Sequence, residues 1–177
     1  MNTPSLTEYN SGPHTSGSKS IVILMADDDA DDRLLAKDAL AECKLPGELH
    51  FVEDGEQLLD YLHRRGKYAQ APNPGPDSGR HASAHASAPR PGLILLDLNM
   101  PKKDGREALR EIKSHPELRK IPVVVLTTSK ADIDIAQIYD IGANSFITKP
   151  VTFDSLVKVM RILGDYWCDI VELPVKK

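Results

Sequence analysis

The stretch Leu93-Ile94-Leu95-Leu96-Asp97-Leu98-Asn99-Met100-Pro101 decides how this chain reads. Four consecutive apolar residues after Gly92 describe a strand buried on both faces, the pattern of a parallel sheet. A carboxylate follows directly. Asp is depleted in strands and is seldom buried without a partner, so packing does not explain Asp97. Pro101 then stops any ladder and biases Met100 toward an extended backbone. The chain thus offers one carboxylate at the carboxyl edge of a central strand, where open α/β sheets build their sites. The plainer alternative is an Asp whose side chain closes a turn onto its own backbone.

Working outward, a second apolar run, Ile21-Val22-Ile23-Leu24-Met25-Ala26, ends in Asp27-Asp28-Asp29, with Asp31 and Asp32 close behind. A helix is predicted from Ala30 to Cys43, because Leu34, Leu35, Ala39 and Leu40 recur at helical spacing. Asp29 or Asp31 can cap it, and acids suit the positive end of its dipole. That role absorbs Asp29, Asp31 and Asp32 but not Asp27 and Asp28. If the two strands are neighbours, Asp27, Asp28 and Asp97 share a pocket. Carboxylates gathered in this way suit a hard cation, and a partly hydrated Mg²⁺ needs few ligands plus a phosphate.

Two further strand ends carry polar groups of the complementary kind. Ile121-Pro122-Val123-Val124-Val125-Leu126 runs into Thr127-Thr128-Ser129, whose hydroxyls also suit the cap of a helix from about Ala131 to Ile141. Ser145-Phe146-Ile147-Thr148 ends in Lys149-Pro150, where a lysine packs poorly but is well placed as a fixed cation beside acids or a phosphoryl oxygen.

These four strand ends, in this order, resemble the receiver domain of two-component response regulators, over roughly residues 20–172. The segment Asn99 to Gly105, the Lys149-Pro150 pair and the tail through Trp167 further resemble small single-domain regulators that partner phytochrome-type histidine kinases. The resemblance implies that Asp97 accepts the phosphoryl group from a phosphohistidine. It implies that Asp28 binds Mg²⁺ directly, Asp27 helps through water, and the Asn99 backbone carbonyl is a further ligand. Thr127 would bind a phosphoryl oxygen and Lys149 would pair with Asp97. Phe146 matches an aromatic switch position that moves between outward and buried rotamers. A cis Lys149–Pro150 peptide is expected from the resemblance alone.

The expected architecture is a doubly wound five-stranded parallel sheet, flavodoxin-like, with strand order 2-1-3-4-5. Strands at about 21–26, 48–52, 93–97, 121–126 and 144–147 alternate with helices at about 30–43, 55–65, 105–115, 131–141 and 152–171. Residues 1–19 read as a disordered tail and 173–177 as a C-terminal one. Residues 66–92, rich in Pro, Gly and Ser, read as a long flexible insert. His81 and His85 in that insert have no third ligand nearby and are not read as a metal site.

The chain's 177 residues, 41% hydrophobic, suffice for one domain with a real core. Its net charge of -4 argues against nucleic acid as partner. No run is long and apolar enough to span a membrane, residues 1–18 do not read as a secretory signal, and Cys43 and Cys168 read as free thiols, so a cytoplasmic protein is expected. Few residues follow Pro150, so output is expected through protein contacts. Val159, Ile162 and Tyr166 widen the apolar face of the last helix, which predicts a homodimer through the fourth helix, fifth strand and fifth helix. A dehalogenase-type phosphatase would need a second Asp where Asn99 stands. A flavodoxin-like carrier would need a phosphate loop where the acidic run stands. A receiver-shaped binding module that is never phosphorylated is the remaining alternative.

Overall fold

In the computed structural model, which describes residues 20–44, 47–69, 88–128 and 132–173, strands and helices alternate throughout. They run β1 (Ile21–Ala26), α1 (Ala30–Cys43), β2 (Gly47–Val52), α2 (Gly55–His63), β3 (Leu93–Leu96), α3 (Gly105–Ser114), β4 (Val123–Thr127), α4 (Asp132–Ile141), β5 (Ser145–Thr148) and α5 (Phe153–Gly164). All strand pairs are parallel, in the order β2-β1-β3-β4-β5. The register Ala26↔Leu96 brings the ends of β1 and β3 level, so the residues that follow, Asp27 and Asp97, become neighbours.

The pleat explains the two-sided core. Alternate strand residues point to opposite faces. Leu24, Ile94 and Leu96 meet Leu58, Leu109, Ile112 and Ile138 on one side. Ile23, Met25, Leu95 and Leu126 meet Ala36, Ala39, Met160 and Trp167 on the other. Each fully buried Leu or Ile contributes roughly 1.5–3 kcal/mol of transfer free energy, which holds the polar strand ends in fixed relation. Helix starts are fixed chemically as well. Asp29, Asp54, Asp104 and Thr152 cap α1, α2, α3 and α5 by accepting first-turn N–H groups, each worth about 1 kcal/mol.

Some expectations need correction. The last helix does not run unbroken to residue 171. It widens after Gly164 into a π-type turn over Asp165–Ile170, closed by Val171 N–H donating to the Tyr166 carbonyl at 2.9 Å. The wider spacing sends both Trp167 and Cys168 into the core. Leu173, assigned to the tail, packs against that same core. The Lys149–Pro150 peptide is trans, the ordinary state of an X-Pro bond. The margins of the 66–92 insert are built into the domain. The Tyr68 ring packs at a tilt against Tyr61 with ring centroids 5.1 Å apart, Ala88 is buried, and Gly92 N–H donates to the Val22 carbonyl at 2.8 Å. The expectations for residues 1–19, 70–87 with His81 and His85, Ser129, and 174–177 lie outside the described residues.

Candidate phosphoryl and metal site

Asp27 and Asp97 sit one step beyond β1 and β3, and both are buried. Each uses one oxygen to close a turn. Asp27 Oδ1 accepts from Asp29 N at 3.1 Å, and Asp97 Oδ1 accepts from Asn99 N at 3.1 Å. The plainer reading of Asp97 as a turn-closing residue is therefore correct for that oxygen only. The other oxygens turn to the site. Lys149, carried there by the end of β5, donates to Asp97 Oδ2 at 2.7 Å and to Asp32 Oδ2 at 2.6 Å. Asp27 Oδ2 lies 2.8 Å from the same ammonium, an ion pair without hydrogen-bond alignment, and this buried oxygen has no hydrogen-bond partner.

Asp28 is exposed and completes the group. Asp27, Asp28 and Asp97 each present an oxygen within 4.8 Å of the others. Three hard oxygen donors, one of them a buried oxygen held only by the Lys149 ion pair, fit a small divalent cation. Burial pushes the Asp27 carboxyl up to about 6, against the pull of Lys149 and the Asp29 N–H. Burial works against charge on Lys149 as well, but its three carboxylate partners outweigh that and hold it well above the ordinary lysine value. Arg33 secures the strand end by donating to the Asp27 carbonyl at 2.7 Å.

The remaining expected residues lie at adjoining strand ends. Thr127 is fully buried at the end of β4, and its carbonyl accepts from Lys149 N at 2.8 Å. Phe146, in β5, is half-buried against the core, and its N–H donates to the Tyr139 hydroxyl at 3.2 Å. Asn99 is exposed in the loop after β3. Sequence reasoning accounts for Asp32 only as a first-turn acid and so misses its place beside Lys149. The available signal was surplus: Asp29 alone caps α1 through Asp31 and Asp32 N–H groups, leaving the Asp32 carboxylate for another task.

A family model described as the response regulator receiver domain matches residues 75–161. The response regulator Rcp1 of Synechocystis is 36% identical over 159 residues, covering 90% of this chain and 96% of that protein. The chain belongs to the response regulator receiver family. Among solved structures, the phosphorylated cyanobacterial phytochrome response regulator RcpA superposes with a TM-score of 0.75 at 39% identity, over 89% of this chain and all of that one. The Mn²⁺-bound form of Rcp1 gives a TM-score of 0.72 at 37% identity, over 88% of this chain and 99% of that one. This receiver is accordingly a phosphoacceptor switch in two-component signalling, phosphorylated on an aspartate by a histidine kinase with a divalent metal. Among the described residues no helix is long and apolar enough to cross a membrane.

Proposed function

We propose that Asp97 is the phosphoacceptor, that the metal is Mg²⁺, and that the donor is a phytochrome-type histidine kinase. The observation that carries this is the meeting of a buried Asp97 carboxylate with the Lys149 ammonium at 2.7 Å and with the oxygens of Asp27 and Asp28. In this reading an Asp97 oxygen attacks phosphorus, the phosphorus–nitrogen bond of the phosphohistidine breaks, and the imidazole nitrogen leaves with the electron pair. Asp28 would hold Mg²⁺ directly, Asp27 would assist through water, and the Asn99 backbone carbonyl would be a further ligand. When bound, Mg²⁺ supplies the positive charge that offsets the carboxylates and the incoming phosphoryl oxygens.

Lys149 then turns from the Asp97 carboxylate to a phosphoryl oxygen, and the Thr127 hydroxyl bonds another. The chain itself provides this chemistry, including later loss of the group to water. Phe146 is the switch element. Its ring carries no polar group, so moving inward gains apolar burial without an unsatisfied hydroxyl. The surface of α4, β5 and α5 changes with it, and we read that surface as a homodimer face that binds no nucleic acid. Ile162, Tyr166 and Ile170 are all exposed on α5 or the turn after it, which supports the dimer. The cytoplasm as the place of exchange follows from the same reading, supported by two free thiols.

Intact mass after incubation with acetyl phosphate tests the assignment. Wild type gains one phosphoryl group only with Mg²⁺, and Asp97→Asn gains none. Labelling of Asp97→Asn at the wild-type level would move the acceptor elsewhere. The phytochrome link is tested by transfer from a purified phosphorylated phytochrome kinase, with an unrelated kinase as control.

A further inference from the structure

The loop from Leu98 to Asp104, between β3 and α3, carries Asn99 and is pinned at both base and tip. At the base, Gly105 N–H donates to the Leu98 carbonyl at 2.9 Å. An added Cβ at Gly105 would stand 2.1 Å from the Asp97 carbonyl oxygen, so nothing larger fits beneath the loop. At the tip, Lys102 has φ +63°, the left-handed region that a residue with a β-carbon seldom occupies. Glycine or asparagine would meet that backbone demand more easily. The lysine side chain is therefore the feature to explain.

It reaches across to the turn before α2. Lys102 Nζ donates to Asp54 Oδ2 at 2.6 Å. Asp54 is buried, 2% exposed, whereas the Lys102 side chain is 57% exposed. Asp54 has its own duty as cap of α2, accepting from Gln57 N at 2.7 Å and from Gln57 Nε2 at 3.3 Å. Beside it, Gly55 N–H donates to the Lys103 carbonyl at 3.3 Å, and a Cβ on Gly55 would meet that oxygen at 2.5 Å. Two backbones approach closely, and the lysine locks them together.

We propose that the Lys102–Asp54 pair is a clamp that fixes the β3–α3 loop in the shape that presents the Asn99 carbonyl to the metal, which makes Lys102 a positioning residue for metal binding. This rests on the reading of the metal site above. Outer partners that orient metal ligands typically control affinity by 10–100-fold.

Charge and position pull in opposite directions here, which makes the test decisive. Removing a cation near the site favours a divalent metal through the field alone, whereas loosening the loop disfavours it. Mn²⁺ affinity is measured on the full chain by titration calorimetry and by the free-Mn²⁺ paramagnetic resonance signal, with melting temperatures alongside. Lys102→Gly keeps the left-handed backbone and removes the clamp. The expected result is about tenfold weaker Mn²⁺ binding, with faster amide hydrogen exchange at residues 98–103 in the metal-free protein. Lys102→Arg, which keeps the ion pair, stays within about twofold of wild type. Asp54→Asn, which keeps a capping oxygen, weakens binding like Lys102→Gly. Equal or tighter Mn²⁺ binding in Lys102→Gly, or failure of Lys102→Arg to retain affinity, overturns the clamp. No Mn²⁺ binding by wild type overturns the site reading itself, a distinct outcome.

Discussion

Metal binding at this site should compete with a proton, and Asp27 sets the terms. Its carboxyl is pushed up to about 6 from an ordinary value of 3.8, chiefly by burial. A divalent cation needs the ionised form, so apparent affinity is divided by one plus the ratio of protonated to ionised Asp27. With that value, affinity is nearly pH-independent above about pH 7, halved near pH 6, and about elevenfold weaker at pH 5. At pH 6 about half a proton leaves per metal bound. The stability linkage has a definite sign. Below pH 3.8 both folded and unfolded chains hold this proton, so Asp27 contributes nothing. Between 3.8 and about 6 the unfolded chain ionises first, so metal-free stability falls as pH rises, by about 3 kcal/mol in all. Above that window the loss is constant, and metal offsets it by binding the folded state alone. Calorimetric Mg²⁺ titrations at pH 5, 6 and 7.5, in buffers of differing ionisation enthalpy, measure both affinity and proton release. A dissociation constant unchanged between pH 5 and 7.5, with no proton released at pH 6, would show that Asp27 does not govern metal binding. Asp27→Asn serves as the internal control and should flatten the profile.

Other outcomes follow from single contacts. Lys149→Met leaves three carboxylates without their shared cation and should cost about 3 kcal/mol at pH 8 in the metal-free protein. Urea melts with and without Mg²⁺ should show most of that loss recovered by metal, and equal loss in both would contradict the electrostatic account. Gly105→Ala drives a methyl into the Asp97 carbonyl and should cost at least about 2 kcal/mol. Gly66→Ala, open to solvent at φ +53°, should cost only about 1 kcal/mol, so similar urea midpoints for the two would remove the steric argument. Ile162→Asp, at a residue 66% exposed, should leave the far-ultraviolet circular dichroism of the folded protein unchanged. Light scattering should then find monomers where wild type forms dimers, and a monomeric wild type with and without a phosphoryl mimic would end the dimer reading.

How much could be read beforehand differs by residue, for physical reasons. The continuous apolar runs at Ile21–Ala26 and Leu93–Leu96 are recognisable because strands buried on both faces leave no alternation. Their abrupt acidic ends then locate Asp27 and Asp97. Lys149 stood out because a proline pins it past a strand. Asp32 did not, because an acid in a first helical turn already has a sufficient local explanation. The Lys102–Asp54 pair joins two loops 48 residues apart, and neither residue is unusual in its own segment. The widening after Gly164 was hidden too, since Trp167 and Ile170 fit ordinary helical spacing as well as they fit a π-type turn. The packed margins of the insert are hidden by its Pro- and Gly-rich composition, which extends to Pro89, Pro91 and Gly92.

The ion-pair cluster has a consequence for how the chain is made. Its acids, Asp27, Asp32 and Asp97, all leave the ribosome before Lys149, and the Asp32–Lys149 bond spans 117 positions. The residues of β1 and β3 that bring Asp27 beside Asp97 are all synthesised before those of β5. Until Lys149 is made, pairing of β1 with β3 would gather like charge at the carboxyl ends of these strands without the ammonium that offsets it in the finished domain. That charge disfavours early closure of the central strands, and a divalent cation bound there would offset it.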